Sequence, residues 1–246
     1  MDTNIRITIV YDNEAYQSGL AADWGFACVI NIRENVILFD TGADARILLS
    51  NMHRLGIPPT DIGQVVLSHA HYDHTGGLAG FLQHNKTAAV TFPASFPADF
   101  QEQLDRGGIK TSAVRGPTAI SEHIFSTGEL GRSRKEQSLI IRTGAGLLLI
   151  TGCAHPGIVN IIKAAAASYE DPILLVMGGF HLNGMSRDEL DAIIDDFKKL
   201  GVQQVCPCHC TGDAAKQRFK TVYDARCLAG GAGRVITLKS QISSTK

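Results

Sequence analysis

Residues 67–78 of this 246-residue chain read LSHAHYDHTGGL, which places three histidines and one aspartate within six positions. An apolar segment precedes this motif and a helical pattern follows it, so we predict a loop at the carboxyl end of a strand, where functional residues are commonly found. Residues two apart in an extended loop share a face. His69 and His71 can therefore bind one metal ion while Asp73 and His74 turn toward a second.

The residue types of this motif indicate which metals it would bind. Imidazole and carboxylate groups together are typical ligands of zinc and similar first-row metals. A single buried histidine is more often a packed core residue, but three histidines and an aspartate this close together favour metal binding. We expect two divalent metal ions as cofactors, with zinc in first place and manganese or iron as alternatives.

Short apolar runs rich in isoleucine and valine recur along the whole chain and predict strands, and helical periodicity appears between them. The predicted strands are 5–11, 27–32, 36–40, 64–68, 88–92, 124–126, 138–142, 147–151, 173–177, 204–208 and 235–238. The predicted helices are 44–55, 78–84, 97–105, 158–169, 187–200 and 214–225. Hairpins alternate with helices in both halves, which favours two packed sheets with helices outside both. This αβ/βα four-layer sandwich of the α/β class fits the pattern better than a doubly wound parallel sheet.

The chain is predicted to form a single domain over residues 1–246, because no linker or low-complexity segment divides it. Residues 83–134 have the least regular pattern and are interrupted by prolines and glycines. We interpret this segment as an insertion or a lid.

Composition excludes several classes of function. Lys and Arg number 23 against 24 Asp and Glu, which argues against nucleic acid as a default partner because the chain has no positive excess to neutralise phosphates. No apolar run approaches the ~20 residues that span a bilayer, and the N-terminus shows no export signal. We therefore expect a cytoplasmic protein without nucleic-acid or membrane partners, whose six cysteines are buried thiols.

Several motifs carry a resemblance to a known family. The pattern His-x-His-x-Asp-His at 69–74, together with the earlier LFDTG at 38–42, resembles the metallo-β-lactamase superfamily. Three further motifs are TGCAHPG at 151–157, GGFHL at 178–182 and CHCTG at 208–212. They resemble one branch, named after the 7,8-dihydropterin-6-methyl-4-(β-D-ribofuranosyl)aminobenzene-5'-phosphate synthase of methanopterin biosynthesis.

The resemblance implies three later metal ligands, namely a histidine, a bridging aspartate and a last histidine. His209 stands where the last histidine falls, and Cys153 replaces the aspartate. No histidine precedes Cys153 at the expected place, so we assign that role to His155, which shares a face with Cys153 if the strand continues. Cys153 is either a thiolate ligand or a small buried residue. The predicted metal ligands are His69, His71, Asp73, His74, Cys153, His155 and His209.

Two other residues gain roles from the resemblance. His181 looks like a histidine that stabilises or protonates the leaving group in related enzymes, and a structural role is the alternative. We predict that His181 is catalytic, and also Asp73, which would hold the second metal ion. Asp40 resembles a residue that supports the metal histidines by hydrogen bonding. The cysteines Cys206, Cys208 and Cys210 either pack or form a separate zinc site, and we expect Cys208 and Cys210 to point away from the face of His209.

These residues predict a hydrolase that uses two metal ions to activate water against an ester, lactone or phosphoester. The branch implies an alternative, a transferase that joins a pterin diphosphate to ribofuranosylaminobenzene phosphate. A metal-stabilised binding protein without turnover is a third possibility. For all three functions the expected partner is a small molecule, which is phosphorylated if the substrate is a phosphoester or a pterin diphosphate. The sequence does not indicate an oligomeric state.

Overall fold

The computed structural model describes residues 2–241, which form thirteen strands in two mixed sheets. The strands are β1 (Asp2–Tyr11), β2 (Ala27–Ile32), β3 (Asn35–Phe39), β4 (Gln64–Val66), β5 (Ala89–Pro93), β6 (Thr111–Val114), β7 (Thr118–Ser121), β8 (Ile124–Ser126), β9 (Leu139–Thr143), β10 (Gly146–Thr151), β11 (Ile173–Gly179), β12 (Gln204–Cys208) and β13 (Val235–Gln241). The first sheet has the order β13-β1-β2-β3-β4-β5-β6, and the second has the order β12-β11-β10-β9-β8-β7.

The described residues contain seven α-helices. They are α1 (Ala45–Arg54), α2 (Tyr72–Thr75), α3 (Leu78–His84), α4 (Ala98–Arg106), α5 (Ile158–Ser168), α6 (Arg187–Lys199) and α7 (Asp213–Tyr223). Six of them pack on the outer faces of the two sheets, while α2 is a single turn in the loop of the 69–74 motif. Short 3-10 turns occur at Pro59–Asp61, His209–Thr211 and Asp224–Arg226. Within residues 2–241, no helix combines the length and apolar character that crossing a membrane requires.

The alternation of side chains along buried strands explains the four layers. In β10, Leu148 and Ile150 pack into the core between the two sheets, whereas Leu147 and Leu149 pack against α5, α6 and α7. The first sheet has the same arrangement, with a separate apolar cluster between its outer face and α1, α3 and α4. Because both faces of these strands are covered, their sequences are continuous apolar runs. The predicted αβ/βα sandwich is confirmed.

Strand direction places the functional loops. β3, β4, β5 and β6 pair in parallel, as do β10, β11 and β12. The carboxyl ends of parallel strands meet at one edge of a sheet, where ligand sites are commonly built. The loops that follow β3, β4, β10, β11 and β12 contain Asp40, the 69–74 motif, Cys153, His181 and His209, respectively.

The segment interpreted as an insertion or lid is built into both sheets. Within residues 83–134, β5 and β6 extend the first sheet, and β7 and β8 lie at the edge of the second. β6 and β7 were not predicted, because they are four-residue strands with small and polar side chains that lack a clear apolar alternation. The single turn of α2 falls inside the predicted loop of the 69–74 motif and was also missed.

We predict that Gly178→Ala destabilises the protein by about 3 kcal/mol or more. Gly178 lies in β11 with φ 112°, and an added Cβ would lie 1.9 Å from the backbone oxygen of Thr151. Gly184→Ala is the matched control, because Gly184 also has positive φ (82°) but its Cβ would meet open space. The control should lose only about 1–2 kcal/mol. Urea unfolding measures both, and equal losses would contradict the packing argument.

Candidate metal centre

The structure brings all seven predicted ligands together at one edge of the sandwich. The ring centroid of His69 lies 4.6 Å from that of His71, 4.3 Å from that of His74 and 4.7 Å from that of His155. The rings of His74 and His209 are 5.0 Å apart. The 69–74 motif, His155 and His209 come from three separate loops, so the contacts of His155 and His209 with the motif depend on the parallel strand ends and not on sequence proximity.

The donor atoms divide into two groups that share one sulfur. The first donor group contains His69, Cys153 and His155, whose donor atoms lie within 4.8 Å of one another, and the His71 ring lies 4.8 Å from the ring of His155. The second donor group contains Asp73, His74, Cys153 and His209, again within 4.8 Å. Cys153 therefore occupies the position between two adjacent groups, where the family resemblance places a bridging aspartate.

Four imidazoles are each held through Nδ1, so that the second ring nitrogen faces the donor groups. His74 Nε2, for example, lies 3.2 Å from the Cys153 sulfur. The Nδ1 atom of His69 contacts Ser68 Oγ at 2.8 Å, and that of His74 contacts Asp40 Oδ2 at 2.7 Å. The Nδ1 atom of His155 contacts Glu136 Oε2 at 3.0 Å, and that of His209 contacts Asn13 Oδ1 at 2.9 Å. The Nε2 atoms of His69 and His209 are buried and lack a hydrogen-bond partner, although His209 Nε2 lies 3.1 Å from Asp73 Oδ2. Metal-binding histidines are oriented in this way. The donor set of imidazole, carboxylate and thiol therefore fits zinc.

Asp40 organises the first side of the site. Its carboxylate accepts hydrogen bonds from the Ser68 backbone N–H, the Ser68 hydroxyl and His74 Nδ1, each at 2.7 Å. It thus contacts His74 directly and reaches His69 through Ser68, in line with the supporting role predicted for it. Burial raises the pKa of Asp40 to about 7. Gly152 permits this contact, because a Cβ there would lie 2.1 Å from Ser68 Oγ.

Glu136 organises the other side and was missed by the sequence analysis. Its buried carboxylate accepts hydrogen bonds from the backbone N–H groups of Cys153 (2.8 Å), Ala154 (2.9 Å) and His155 (3.0 Å), and also contacts the His155 ring. Burial alone would raise the pKa of Glu136, but these hydrogen bonds outweigh it and hold the pKa far below its usual range. Its position just before a predicted strand carried no recognisable motif.

Asp12 and Asn13, which follow β1, were also missed. Asp12 accepts the His209 backbone N–H at 2.9 Å, while the Asn13 side chain contacts both Nδ1 and the carbonyl oxygen of His209. Asp12 and Asn13 are 197 and 196 positions from His209, respectively, so only the fold reveals the contact. Together they fix the orientation of the last predicted ligand.

The expected orientation of Cys210 was wrong. The residues His209–Thr211 form a 3-10 turn, not extended backbone, and this turn directs Cys210 into the site. The Cys210 sulfur, the Cys153 sulfur and a ring nitrogen of His181 lie within 4.8 Å of one another. Cys206 and Cys208 instead pack in the core between the sheets, so the three cysteines do not form a common zinc site.

Backbone strain is concentrated at the same strand ends. Six described non-glycine residues have positive φ, and four of them belong to this site, namely Asp40 (56°), Ala154 (59°), His181 (55°) and His209 (43°). Such conformations cost free energy and persist where the surrounding contacts impose them. The buried hydrogen bonds of Asp40, Glu136 and Asp12 are those contacts.

Two cavities open beside the donor groups. The larger, about 680 Å³, is lined by His155, His181, Asn160, Arg132 and Arg134 among others. The smaller, about 290 Å³, is lined by His69 and His71 together with the same two arginines. The loop that carries these arginines therefore separates two spaces that both reach the predicted ligands.

We predict that Glu136→Gln weakens zinc binding by about 10- to 100-fold and lowers the free energy of unfolding by about 2–4 kcal/mol. A glutamine side chain would direct an N–H₂ group toward the N–H donors of residues 153–155. Zinc titration against a chelating dye and urea unfolding measure the two effects. The control is Glu122→Gln on the surface, which should change neither, and unchanged zinc affinity in Glu136→Gln would contradict the assigned role.

Cobalt substitution distinguishes a ligand role of Cys153 from simple packing. If Cys153 provides a thiolate, the cobalt-loaded protein should show a near-ultraviolet sulfur-to-cobalt charge-transfer band. The band should be lost in Cys153→Ala and retained in Cys210→Ala. A protein that binds cobalt without this band, or a band that survives in Cys153→Ala, would show that Cys153 only packs.

Comparison with known proteins places this geometry in a family. A family model described as Metallo-beta-lactamase superfamily matches residues 25–164. A curated relative, the 7,8-dihydropterin-6-methyl-4-(beta-D-ribofuranosyl)-aminobenzene-5'-phosphate synthase of Methanocaldococcus jannaschii, is 30% identical and covers 95% of this chain and 96% of its own length. The predicted resemblance to that branch is confirmed by this similarity.

Solved structures agree with the family model. The crystal structure of Tm1679, described as a metal-dependent hydrolase of the beta-lactamase superfamily, matches with a TM-score of 0.81 and 31% identity over 96% of this chain and 100% of that one. The metallo-beta-lactamase fold protein YhfI from Bacillus subtilis shares the fold, with a TM-score of 0.69 and 14% identity over 95% of this chain and 99% of its own. The chain therefore belongs to the metallo-β-lactamase superfamily.

Proposed function

We propose that this protein is a metal-dependent hydrolase that cleaves a phosphoester or another ester of an anionic small molecule. The proposal rests on one observation: the two donor groups share the Cys153 sulfur and lie beside cavities lined by Arg132 and Arg134. When bound, two divalent metal ions would activate a water molecule for attack and stabilise the charge that develops in the transition state.

The chain keeps its donor groups in the state that binds metal. Burial lowers the pKa of His69 to about 3 and that of His74 to about 4, so both imidazoles are neutral at physiological pH. Burial alone would raise the pKa of Asp73, but His209 and His74 beside it outweigh this effect and keep the side chain ionised. Neutral imidazoles and an ionised carboxylate are the forms that metal binding requires.

His181 supports the proposal as the residue that assists the leaving group. Its ring lies 4.6 Å from that of His155, and its exposed side chain lines the larger cavity. Cys210 beside it raises the pKa of His181, which increases the protonated fraction near neutral pH. A protonated imidazole at this position can donate a proton to a departing oxygen.

Arg132 and Arg134 support an anionic substrate. Among residues 2–241, neither guanidinium group has an ion-pair or hydrogen-bond partner, and both line the two cavities. Lys135, next in the same loop, is instead paired with Glu129 at 3.2 Å. Arginine is well suited to bind phosphate or carboxylate groups through two parallel hydrogen bonds.

A transferase is the second candidate, because the Methanocaldococcus jannaschii relative is named as a synthase of a 5'-phosphate product. The same donor groups could activate a diphosphate leaving group, with the arginine loop holding the acceptor's phosphate. A metal-stabilised binding protein without turnover is less consistent with a site that keeps two adjacent donor groups.

A substrate panel on the zinc-loaded protein tests the proposal. It contains phosphodiesters, phosphomonoesters, lactones and thioesters, together with a pterin diphosphate mixed with ribofuranosylaminobenzene phosphate. We expect turnover of a phosphorylated ester and a loss of at least about 100-fold in Asp73→Ala, while the surface variant Asp61→Ala retains activity. Turnover of the mixture alone would favour the transferase, and zinc-loaded protein inert toward the whole panel would contradict both enzymes.

The double variant Arg132→Ala/Arg134→Ala tests how the substrate is bound. For a phosphorylated substrate, we expect KM to rise by about 10- to 100-fold, since two charged hydrogen-bond donors are removed. For an uncharged lactone, KM should be unchanged. Arg106→Ala is the control, because Arg106 is paired with Glu102 on the surface of α4. Equal effects on charged and uncharged substrates would contradict an anion-binding role.

A further inference from the structure

We propose that Cys153 and Cys210 form an oxidisable dithiol, a modification site at which a peroxide produces a disulfide that competes with metal binding. The disulfide itself depends only on the two thiols. Its effect on metal binding rests on the proposed function, because it requires that Cys153 serve as a metal ligand.

The two cysteines come from separate loops and meet at the donor groups. Their sulfurs lie within 4.8 Å of each other and of a ring nitrogen of His181. The Cys210 sulfur is also 3.6 Å from the carbonyl oxygen of Cys153. Gly179 leaves room for this arrangement, since a Cβ there would lie 2.7 Å from the Cys210 sulfur.

The backbone beside each cysteine is turned toward the other. Ala154, which follows Cys153, and His209, which precedes Cys210, both adopt the left-handed conformation, with φ of 59° and 43°. Glu136 holds the turn at Cys153 and Asp12 holds the turn at His209. The approach of the two sulfurs is therefore imposed by buried hydrogen bonds on both sides.

A second pair of neighbouring sulfurs provides an internal comparison. Cys206 and Cys208 have sulfurs 3.9 Å apart, but both side chains are fully buried between the sheets. They are two residues apart on one strand, so their Cα atoms are separated by roughly 6.6–7 Å, at the upper limit for a disulfide. Cys153 and Cys210 are 3% and 6% exposed and adjoin His181, which lines the larger cavity. The Cys153/Cys210 pair is therefore less deeply buried than the Cys206/Cys208 pair, both members of which are 0% exposed.

The reaction balances with a peroxide as the oxidant. One cysteine loses its thiol proton, and the resulting thiolate attacks a peroxide oxygen, which breaks the O–O bond and forms a sulfenic acid and hydroxide. The hydroxide takes up the proton that the thiol lost and becomes the first molecule of water. The second sulfur then attacks the sulfenic sulfur, forming the S–S bond and releasing a second water. Two thiols are oxidised by two electrons in total, and the peroxide is reduced to water. The Cys153 sulfur no longer offers a thiolate to either donor group.

Mass spectrometry of the full-length protein treated with hydrogen peroxide tests the proposal. In metal-free protein we expect the intact mass to fall by two hydrogen atoms. A non-reducing peptide map should join the peptides of Cys153 and Cys210, and dithiothreitol should reverse the change. In zinc-loaded protein the same link should form more slowly, and zinc should appear in solution as it forms.

Two variants separate this pair from the other thiols. Cys210→Ala should give no link, and its Cys153 should proceed to sulfinic acid, which dithiothreitol does not reverse. Cys208→Ala is the matched control, which removes one member of the buried pair and should leave the link unchanged. A protein whose Cys153 and Cys210 stay free at a dose that oxidises glutathione fully, or that links Cys206 to Cys208 instead, would overturn the proposal.

Measuring zinc binding and zinc release distinguishes a failure of the proposed oxidation from a failure of the proposed metal-dependent function. A disulfide that forms without releasing bound zinc overturns the competition between oxidation and metal. Protein that forms the disulfide but never binds zinc overturns the proposed function and leaves the oxidisable dithiol supported.

Discussion

Two buried carboxylates hold the loops that carry the predicted ligands, and the arrangement of the site depends on them. Asp40 orients His74 and, through Ser68, His69 on the side of the first sheet. Glu136 accepts three consecutive backbone N–H groups after β10 and holds the His155 ring. A buried carboxylate without such donors would be strongly unfavourable. Each carboxylate and its loop therefore stabilise one another, and the second ring nitrogens of the histidines are directed toward the two donor groups.

The strained backbone at the strand ends follows from the same requirement. A loop that leaves a sheet edge and immediately directs a side chain back over that edge needs a sharp reversal, which Asp40, Ala154, His181 and His209 provide through positive φ. Their contacts with neighbouring loops offset the conformational cost. Bound metal ions would add to this stabilisation, since they bind the folded arrangement of donors and not the unfolded chain.

Much of the fold and part of the site could be predicted from sequence. The apolar runs predicted most of the strands. The 69–74 motif was recognisable because its four donor residues lie within six positions of the sequence. Glu136, Asn13 and the orientation of Cys210 could not be predicted, because their roles arise from contacts between distant segments. The backbone of residues 209–211 illustrates the limit: a 3-10 turn there reverses the direction expected for Cys210 from an extended strand. Short strands such as β6 and β7 likewise depend on pairing with their neighbours and not on local pattern.

Anomalous X-ray diffraction from zinc-loaded crystals, recorded at the zinc absorption edge, would locate the bound ions in the two donor groups. We predict two anomalous peaks in each chain. One should lie among the side chains of His69, His71 and His155, the other among those of Asp73, His74 and His209, with the Cys153 sulfur within bonding distance of both. A single peak, or peaks located away from these side chains, would show that the two donor groups do not form a two-metal centre.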